Sequence, residues 1–252
     1  MEEELRELNE NLEEKVKERT AEIEKLIKLK DDFIWQLGHD LKSPLTPLIG
    51  LLPTMEKKEK DPELKKLISM LNRNVIYMKD LVSKTLEFER LSSSKTKKHL
   101  EEINLLEVIE KIISYKISDH SDKKIKIINN VDKKISIKAD KIQIKELFDN
   151  LITNAIKFTP DNGTIKIDAK IDKEHVTISV SDTGIGLTSD QIKHVFDEFY
   201  KVDKSRHELD SSGLGLSICK RIVEKHDGKI WVESPGTQKG STFYVQIQKD
   251  LK

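Results

Sequence analysis

Length, composition and charge exclude several classes of protein. With 252 residues, the chain has room for one large domain or two small ones. Basic and acidic residues both number 45, so the formal net charge is zero and gives no overall attraction to nucleic acid or to an anionic membrane. The single cysteine, Cys219, excludes an intramolecular disulfide. Because no stretch approaches the roughly 20 apolar residues that cross a bilayer, we expect a cytoplasmic protein without membrane contact.

Residues 1–32 are dense in charge and carry apolar side chains at spacings of three and four, with one gap of seven. This segment contains neither glycine nor proline, so the pattern predicts a coiled-coil helix. A single solvated helix is the alternative. No break signal separates the segment from residues 33–52, and one continuous helix is therefore expected.

Residues 33–47 place a histidine beside a carboxylate on an amphipathic helix. Apolar side chains recur every three or four residues, which predicts one buried face with His39 and Asp40 to its side. Pro44 cannot donate to the carbonyl of Asp40, so we expect the helix to bend there and to expose the imidazole. His39 is therefore a candidate phosphate acceptor. An ordinary surface histidine on a bundle helix is the alternative.

A second helix is predicted to follow a turn over residues 55–63. Asp61 is suited to cap it, and Pro62 fits the first helical position. Its apolar face would pack against the first helix as an antiparallel hairpin. Because two such helices leave apolar surface uncovered, we expect two chains to form a dimeric four-helix bundle. Residues 93–98 are small and basic, and are predicted to be a linker.

From residue 99 the sequence changes to short β-branched runs alternating with helical patterns. Strands are predicted around residues 125–127, 135–137, 165–167, 176–180 and 243–247, and helices at about 105–118, 141–157 and 215–226. Asp140 followed by Gln143 predicts a capping box at the second of these helices. Together these patterns favour an α/β domain in which helices cover one face of a sheet.

Two segments of this domain carry residues suited to purines, phosphates and Mg²⁺. Asn150 and Asn154 lie four residues apart and so share a helical face, with Lys157 one turn further on. Amide oxygens suit Mg²⁺ and a lysine suits phosphates, although a polar packing seam is the alternative. In a later segment, Asp182 follows a strand and can accept a hydrogen bond from the adenine amine. Gly184 and Gly186 would let the backbone approach the ring, although a plain turn is the alternative.

Two further segments supply cations and a glycine-rich helix start. The polar stretch that follows Phe196 resembles a mobile lid with cations for phosphate oxygens, and a solvated loop is the alternative. Those cations are Lys201, Lys204 and Arg206. Gly213 and Gly215 lead into a helix whose positive end favours an anion. This glycine segment is not a Walker A motif, because no Gly-Lys-Ser/Thr ends it.

In this order, after a His-Asp helix, the four segments closely resemble the sensor histidine kinases of two-component signalling. The resemblance covers roughly residues 33–248. It implies four parts, which are a signalling coiled coil at 1–32, a dimerisation and phosphotransfer domain at 33–92, a linker at 93–98 and a catalytic domain at 99–252. The last would have the ATP-binding α/β sandwich fold shared with DNA gyrase. The segments 225–234 and 239–243 are also similar to the family.

The resemblance implies a role for each candidate residue. His39 would take the γ-phosphoryl group of ATP, and Asp40 would orient the ring or accept its proton. Asp182 would bind the adenine amine, with Phe158 against the ring. The remaining implied ligands are Asn154 for Mg²⁺, Asn150 and Lys157 near the phosphates, and Lys201 and Arg206 for the transferred group.

The implied product is an aspartate phosphorylated on a separate response-regulator receiver domain. No sensor pattern is recognisable, so we expect the stimulus to come from an upstream domain, which could attach the whole protein to a membrane, or from a partner. Ser43 stands where members with receiver-phosphatase activity commonly carry threonine or asparagine. Gly38 stands where serine is frequent and is expected to loosen the helix. The alternatives are an ATP-binding scaffold without catalysis and a gyrase-like or chaperone-like ATPase.

Overall fold

The computed structural model describes residues 2–92, 99–119, 123–202 and 212–249. The chain divides into two compact units, Met1–Ser93 and Ser94–Lys252. The predicted linker at 93–98 lies outside the described residues. The first unit is helical, and the second combines helices with strands.

The first unit is a hairpin of two helices, α1 (Glu2–Lys58) and α2 (Pro62–Ser92). The predicted continuity through residue 33 is confirmed. The predicted turn begins too early, because α1 continues past Met55, whose carbonyl accepts from the amide of Glu59. The Asp61 cap is confirmed, since its Oδ1 accepts from the amides of Glu63 at 2.9 Å and Leu64 at 3.4 Å.

The hairpin buries only a small apolar core within one chain. Leu52, Ile68 and Val75 are buried, and Leu45 and Ile49 pack against them. Many other large apolar side chains of the hairpin stay exposed, among them Leu37, Leu41, Leu48, Leu51, Leu64, Leu67 and Leu71. A single copy therefore leaves much of the predicted apolar face in water. Among the described residues, no helix is both long enough and apolar enough to span a bilayer.

The described residues of the second unit form two sheets. Its strands are β1 (Leu100–Asn104), β2 (Lys126–Asn129), β3 (Ser136–Asp140), β4 (Thr164–Ile171), β5 (His175–Asp182), β6 (Lys229–Glu233) and β7 (Ser241–Gln248). β1 and β3 pair antiparallel, and the larger sheet has the order β2-β4-β5-β7-β6 with only β2 and β4 parallel. The five predicted strands are confirmed, whereas β1 and β6 are additional. Along β5, Val176, Ile178, Val180 and Asp182 alternate into the interior.

Within the described ranges of this unit, the helices are α3 (Leu105–Asp119), α4 (Lys141–Phe158), α5 (Ser189–His194) and α6 (Gly215–Lys225). α4 has the most buried side chains and packs against α3, α6 and β5. The three predicted helices are confirmed. The six-residue α5 was not predicted, although Thr188 and Gln191 form a capping box at its start.

The start of α4 differs from the predicted capping box. The Oδ1 atom of Asp140 does accept from the amides of Ile142 and Gln143. The Gln143 side chain, however, donates to the Asp140 carboxylate, while the backbone amide of Asp140 donates to Nε2 of His226 at 3.1 Å. His226 is fully buried, and its Nδ1 lies 2.8 Å from the carbonyl oxygen of Ile222. Nδ1 therefore carries the proton, and His226 joins the end of α6 to the start of α4.

Candidate phosphoacceptor and nucleotide sites

His39 lies on the exposed side of α1, as predicted. Its side chain is 69% exposed, and that of Asp40 is 61% exposed. Nδ1 of His39 lies 3.4 Å from Oδ1 of Asp40. When Nδ1 donates to the carboxylate, Nε2 is the nitrogen left with a lone pair. In that tautomer, the free nitrogen is the one that does not contact the acid.

Asp40 is held by a second neighbour. The Gln36 amide nitrogen donates to both carboxylate oxygens, at 3.0 and 3.1 Å. These bonds, followed by the His39 contact, hold the pKa of the Asp40 carboxyl below its usual value, while slight desolvation acts in the opposite direction. Asp40 is consequently a fixed carboxylate suited to orient the imidazole.

Gly38 lets the two helices of the hairpin approach beside His39. It is buried, and a Cβ atom at this position would overlap the side chain of Leu86 on α2. The expected loosening of the helix is therefore accompanied by a close contact that a serine could not make without displacing Leu86.

In the second unit, α4 carries the predicted amide and lysine residues. Asn150 is buried and donates from Nδ2 to the Glu146 backbone and side chain, both at 3.1 Å. Asn154 is half-buried one turn later, with no hydrogen-bond partner among the described residues. At the end of the helix, Nζ of Lys157 lies 5.8 Å from the ring centroid of Phe158, which is 37% exposed. Half-buried Asn154 thus keeps its amide oxygen available to a ligand.

Asp182 ends β5 with its carboxylate fixed by three protein donors. Oδ1 accepts from the amides of Gly184 at 2.8 Å and Ser241 at 3.3 Å. Oδ2 accepts from the hydroxyl of Ser241 at 2.6 Å. Because a carboxylate offers about four acceptor positions, one position remains for a ligand amine. Ser241 was not among the predicted site residues.

The loop that carries Gly184 and Gly186 is enclosed by other backbone segments. A Cβ on Gly184 would lie 2.5 Å from the carbonyl oxygen of Phe158, at the end of α4. A Cβ on Gly186 would overlap the carbonyl oxygen of Gly236, in the loop between β6 and β7. These glycines therefore serve the packing of the protein's own backbone, in addition to any approach to a ring.

The loop between β6 and β7 is a part of this site that sequence reasoning missed. The hydroxyl of Ser234 accepts from the amide of Leu187 at 2.9 Å and donates to the carbonyl of Gly240 at 2.7 Å. Gly240 has φ 75°, and a Cβ there would overlap the carbonyl oxygen of Asp182. The family-like segment 239–243 was the signal that could have identified it.

Lys123 is a second missed residue. Its ammonium donates to the carbonyls of Ile156 at 3.0 Å, Lys157 at 3.1 Å and Thr159 at 3.3 Å. A cation at this position satisfies carbonyls that have no intrahelical partner and complements the negative end of the helix dipole. Lys123 therefore holds the last turn of α4, from which Phe158 projects.

Of the remaining predicted residues, some lie beside other site residues and some lie outside the described ranges. Gly215 begins α6, where a Cβ would lie 3.0 Å from Oδ1 of Asn150, so these two predicted residues do meet. Gly213 has φ 75° and packs against the backbone of Phe199. Lys201 is half-buried near the end of a described range. Lys204 and Arg206 lie outside the described residues.

Comparison with known proteins identifies two domain families in the chain. Residues 29–94 match the His Kinase A phospho-acceptor domain, and residues 139–251 match the histidine kinase-, DNA gyrase B- and HSP90-like ATPase domain. The chain belongs to the histidine kinase family. The sensor histidine kinase YclK of Bacillus subtilis is 30% identical over 94% of the chain and 50% of its own length.

Solved histidine kinase structures share the fold. ShkA, crystallised with AMPPNP, aligns with a TM-score of 0.72 at 24% identity, over 86% of this chain and 45% of that one. ThkA in complex with the response regulator protein TrrA aligns with a TM-score of 0.60 at 28% identity, over 86% of this chain and 61% of that one. This histidine kinase chain spans between a quarter and a half of the length of the curated relatives it matches.

Proposed function

We propose that the chain is an ATP-dependent protein-histidine kinase that phosphorylates His39 and passes the phosphoryl group to an aspartate of a separate response regulator. The observation that carries the proposal is the exposed His39 imidazole with its Nδ1 on Asp40, within the matched phospho-acceptor segment. The same chain supplies an ATPase-type domain. Family membership and the contacts of His39 thus support the same reaction.

In the proposed step, the lone pair of Nε2 attacks the γ-phosphorus of ATP. The bond between that phosphorus and the oxygen bridging to the β-phosphate breaks, and ADP departs with the electron pair. Positive charge develops on the imidazole and is offset by the Asp40 carboxylate at Nδ1. The resulting nitrogen–phosphorus bond is labile, so the group can next be attacked by the carboxylate of an aspartate, which returns His39 to its starting form.

For the nucleotide, we propose that Asp182 accepts from the adenine amine through its remaining acceptor position, with Phe158 beside the ring. The amide oxygen of Asn154 fits Mg²⁺, which prefers oxygen ligands and would neutralise phosphate charge. No cluster of three or more His, Cys, Asp or Glu side chains suited to a metal lies within the described residues.

The other proposed phosphate contacts follow the sequence pattern. Asn150 and Lys157 lie on the same helix as Asn154, and Gly213 and Gly215 lead into α6. We propose that the cations Lys201, Lys204 and Arg206 stabilise the transferred phosphoryl group. Together these residues would surround the triphosphate with amides and positive charge.

We propose that the functional unit is a homodimer. The hairpin exposes large apolar side chains along both helices, and a second copy would bury them in a four-helix bundle. The exposed Leu5, Leu8 and Leu12 continue this surface into the proposed coiled coil. We further propose a cytoplasmic location, and that a signal from an upstream domain or partner enters through residues 1–32.

The complex of ThkA with a response regulator supports the proposed partner class. Ser43 is exposed on α1 four residues after His39, so both side chains share one helix face. A receiver domain that docks at His39 would therefore also meet Ser43. We propose Ser43 as the residue through which the chain would assist hydrolysis of the phosphorylated partner.

The proposal is tested by incubating the protein with γ-labelled ATP and Mg²⁺. Wild type and the control His99→Gln should acquire label that is lost in acid and survives alkali, as expected of phosphohistidine. His39→Gln should bind nucleotide with unchanged affinity and acquire no label. Label persisting in His39→Gln would contradict the proposed acceptor, and a nucleotide-bound wild type without label would favour an ATP-binding scaffold.

A further inference from the structure

Trp35 stacks on the ring of His39. The indole and imidazole centroids are 6.2 Å apart, and their planes differ by 20°. Trp35 is itself 69% exposed, although an indole in water leaves a large apolar area unburied. Within the described hairpin, the indole therefore lies stacked beside the proposed phosphoacceptor.

The contact follows from the helix itself. Residues four apart in an α-helix share one face, so Trp35 and His39 are neighbours on α1 without help from any other segment. Asp40 meets the same imidazole at Nδ1, and Gln36 in turn fixes Asp40. The imidazole therefore has the Trp35 ring stacked beside it and Asp40 at Nδ1, and Nε2 makes no hydrogen bond within the described residues.

We propose that Trp35 is a positioning residue for phosphoryl transfer at His39. The inference rests on the proposed kinase function and adds a residue to it. The indole limits the rotation of the imidazole, which keeps Nε2 aligned for attack. In addition, its π-face stabilises the positive charge that develops on the imidazole as the nitrogen–phosphorus bond forms. A cation–π contact at an exposed site accelerates the reaction by about two- to fivefold.

Two substitutions distinguish the contribution of the aromatic ring of Trp35 from that of its apolar volume. Trp35→Phe keeps a π-face, whereas Trp35→Leu keeps apolar volume alone. A residue that only packed against a second copy of the chain would tolerate both changes alike. If Trp35 positions His39, the two variants should differ in their rate of autophosphorylation.

The first measurement compares the initial rate of autophosphorylation with saturating Mg²⁺ and ATP. We expect Trp35→Leu to be about two- to fivefold slower than wild type, and Trp35→Phe to be close to wild type. The KM for ATP should be the same in all three, because the change acts on the acceptor. Equal rates in wild type and both variants would overturn the inference while leaving the kinase function intact. A wild type that takes no label would overturn both.

The second measurement uses Trp35 as its own reporter. The chain has two tryptophans, and the other, Trp231, stacks on Tyr244 in the second unit. Trp231→Phe therefore leaves Trp35 as the single indole emitter. Its emission should change when His39 is phosphorylated, and should stay constant with ATP in the double variant Trp231→Phe/His39→Gln. An emission that does not respond to phosphorylation would contradict the stacked arrangement.

Discussion

The side chains around His39 come from residues 35–40 of one helix, whereas those around Asp182 include partners up to 59 positions away in sequence. The first group is exposed and depends on helix periodicity. The second is buried and depends on the meeting of β5, the end of α4 and the loop before β7. Substitutions of the exposed side chains around His39 should therefore alter chemistry before stability, whereas substitutions near Asp182 should alter both together.

The largest effect is expected from Gly240→Ala. The substitution places a Cβ against the carbonyl oxygen of Asp182 at φ 75°, where both steric overlap and backbone strain oppose it. We expect the second unit to lose about 3 kcal/mol or more of stability, together with nucleotide binding. Denaturant unfolding and calorimetric titration with ATP would measure this. Thr237→Ala, at an exposed position in the same loop, is the control. Unchanged stability of Gly240→Ala would refute the close approach.

A smaller effect is expected from Lys123→Met. This change leaves three carbonyls at the end of α4 without their charged donor. Since water can replace part of the interaction, we expect a loss of about 1–2 kcal/mol and a several-fold weaker affinity for nucleotide. Denaturant unfolding and calorimetric titration with ATP would measure the two losses. Lys124→Met, at the exposed neighbouring position, should leave both quantities unchanged, and the idea fails if the two variants behave alike.

Two glycines of α1 provide a matched pair in the first unit. A Cβ at Gly50 would meet no atom within 4 Å, so Gly50→Ala should stabilise the helix by about 0.5–1 kcal/mol. At Gly38 the same change displaces Leu86, and we expect a net loss of about 1 kcal/mol. Thermal unfolding followed by circular dichroism would give both values. A gain at both positions would show that Leu86 moves aside freely.

The smallest effect concerns the acid beside His39. Gln36→Leu removes the strongest of the interactions that hold the pKa of Asp40 below its usual value, so this pKa should rise. In wild type, the stabilising contribution of Asp40 is present above its unfolded pKa and disappears as pH falls through the lower folded value. In the variant, the carboxylate should protonate at a higher pH, and the difference should appear only in acid.

A carboxyl titration by nuclear magnetic resonance would follow this change. Asp172 is an internal reference, because the backbone amides of Glu174 and His175 lower its pKa independently of Gln36. A shift at both aspartates would indicate a general change in the protein, and no shift at Asp40 would exclude the Gln36 contact from solution.

The same contrast explains what could be predicted from the sequence. Helix α4 and strand β5 have strong periodic patterns, so both were predicted within one or two residues of their ends. Strand β1 reads Leu-Glu-Glu-Ile-Asn and α5 has six residues, so neither carries a sustained pattern. Short elements of this kind take their form from their neighbours in the folded unit.

Among the candidate site residues, several with a local sequence pattern were predicted, whereas two whose contacts are distant in sequence were not. His39, Asp40 and Asn154 were predicted as site residues because their spacing within one helix is visible in the sequence. Ser241 and Lys123 were not, because each meets its partners across 33 or more positions, and even the family-like segment 239–243 does not show which distant residue Ser241 contacts. Long-range hydrogen bonds become predictable only when the topology is known.

The buried imidazole of His226 has a mechanical consequence for the second unit. It connects the carbonyl of Ile222 on α6 to the amide of Asp140, which is also the residue that caps α4. Because both bonds are buried, neither helix can slide along its own axis without stretching this link. We therefore expect a displacement of α6 along its axis to be accompanied by a displacement of α4. Through the two hydrogen bonds of His226, α4 and α6 should therefore move as a single rigid unit.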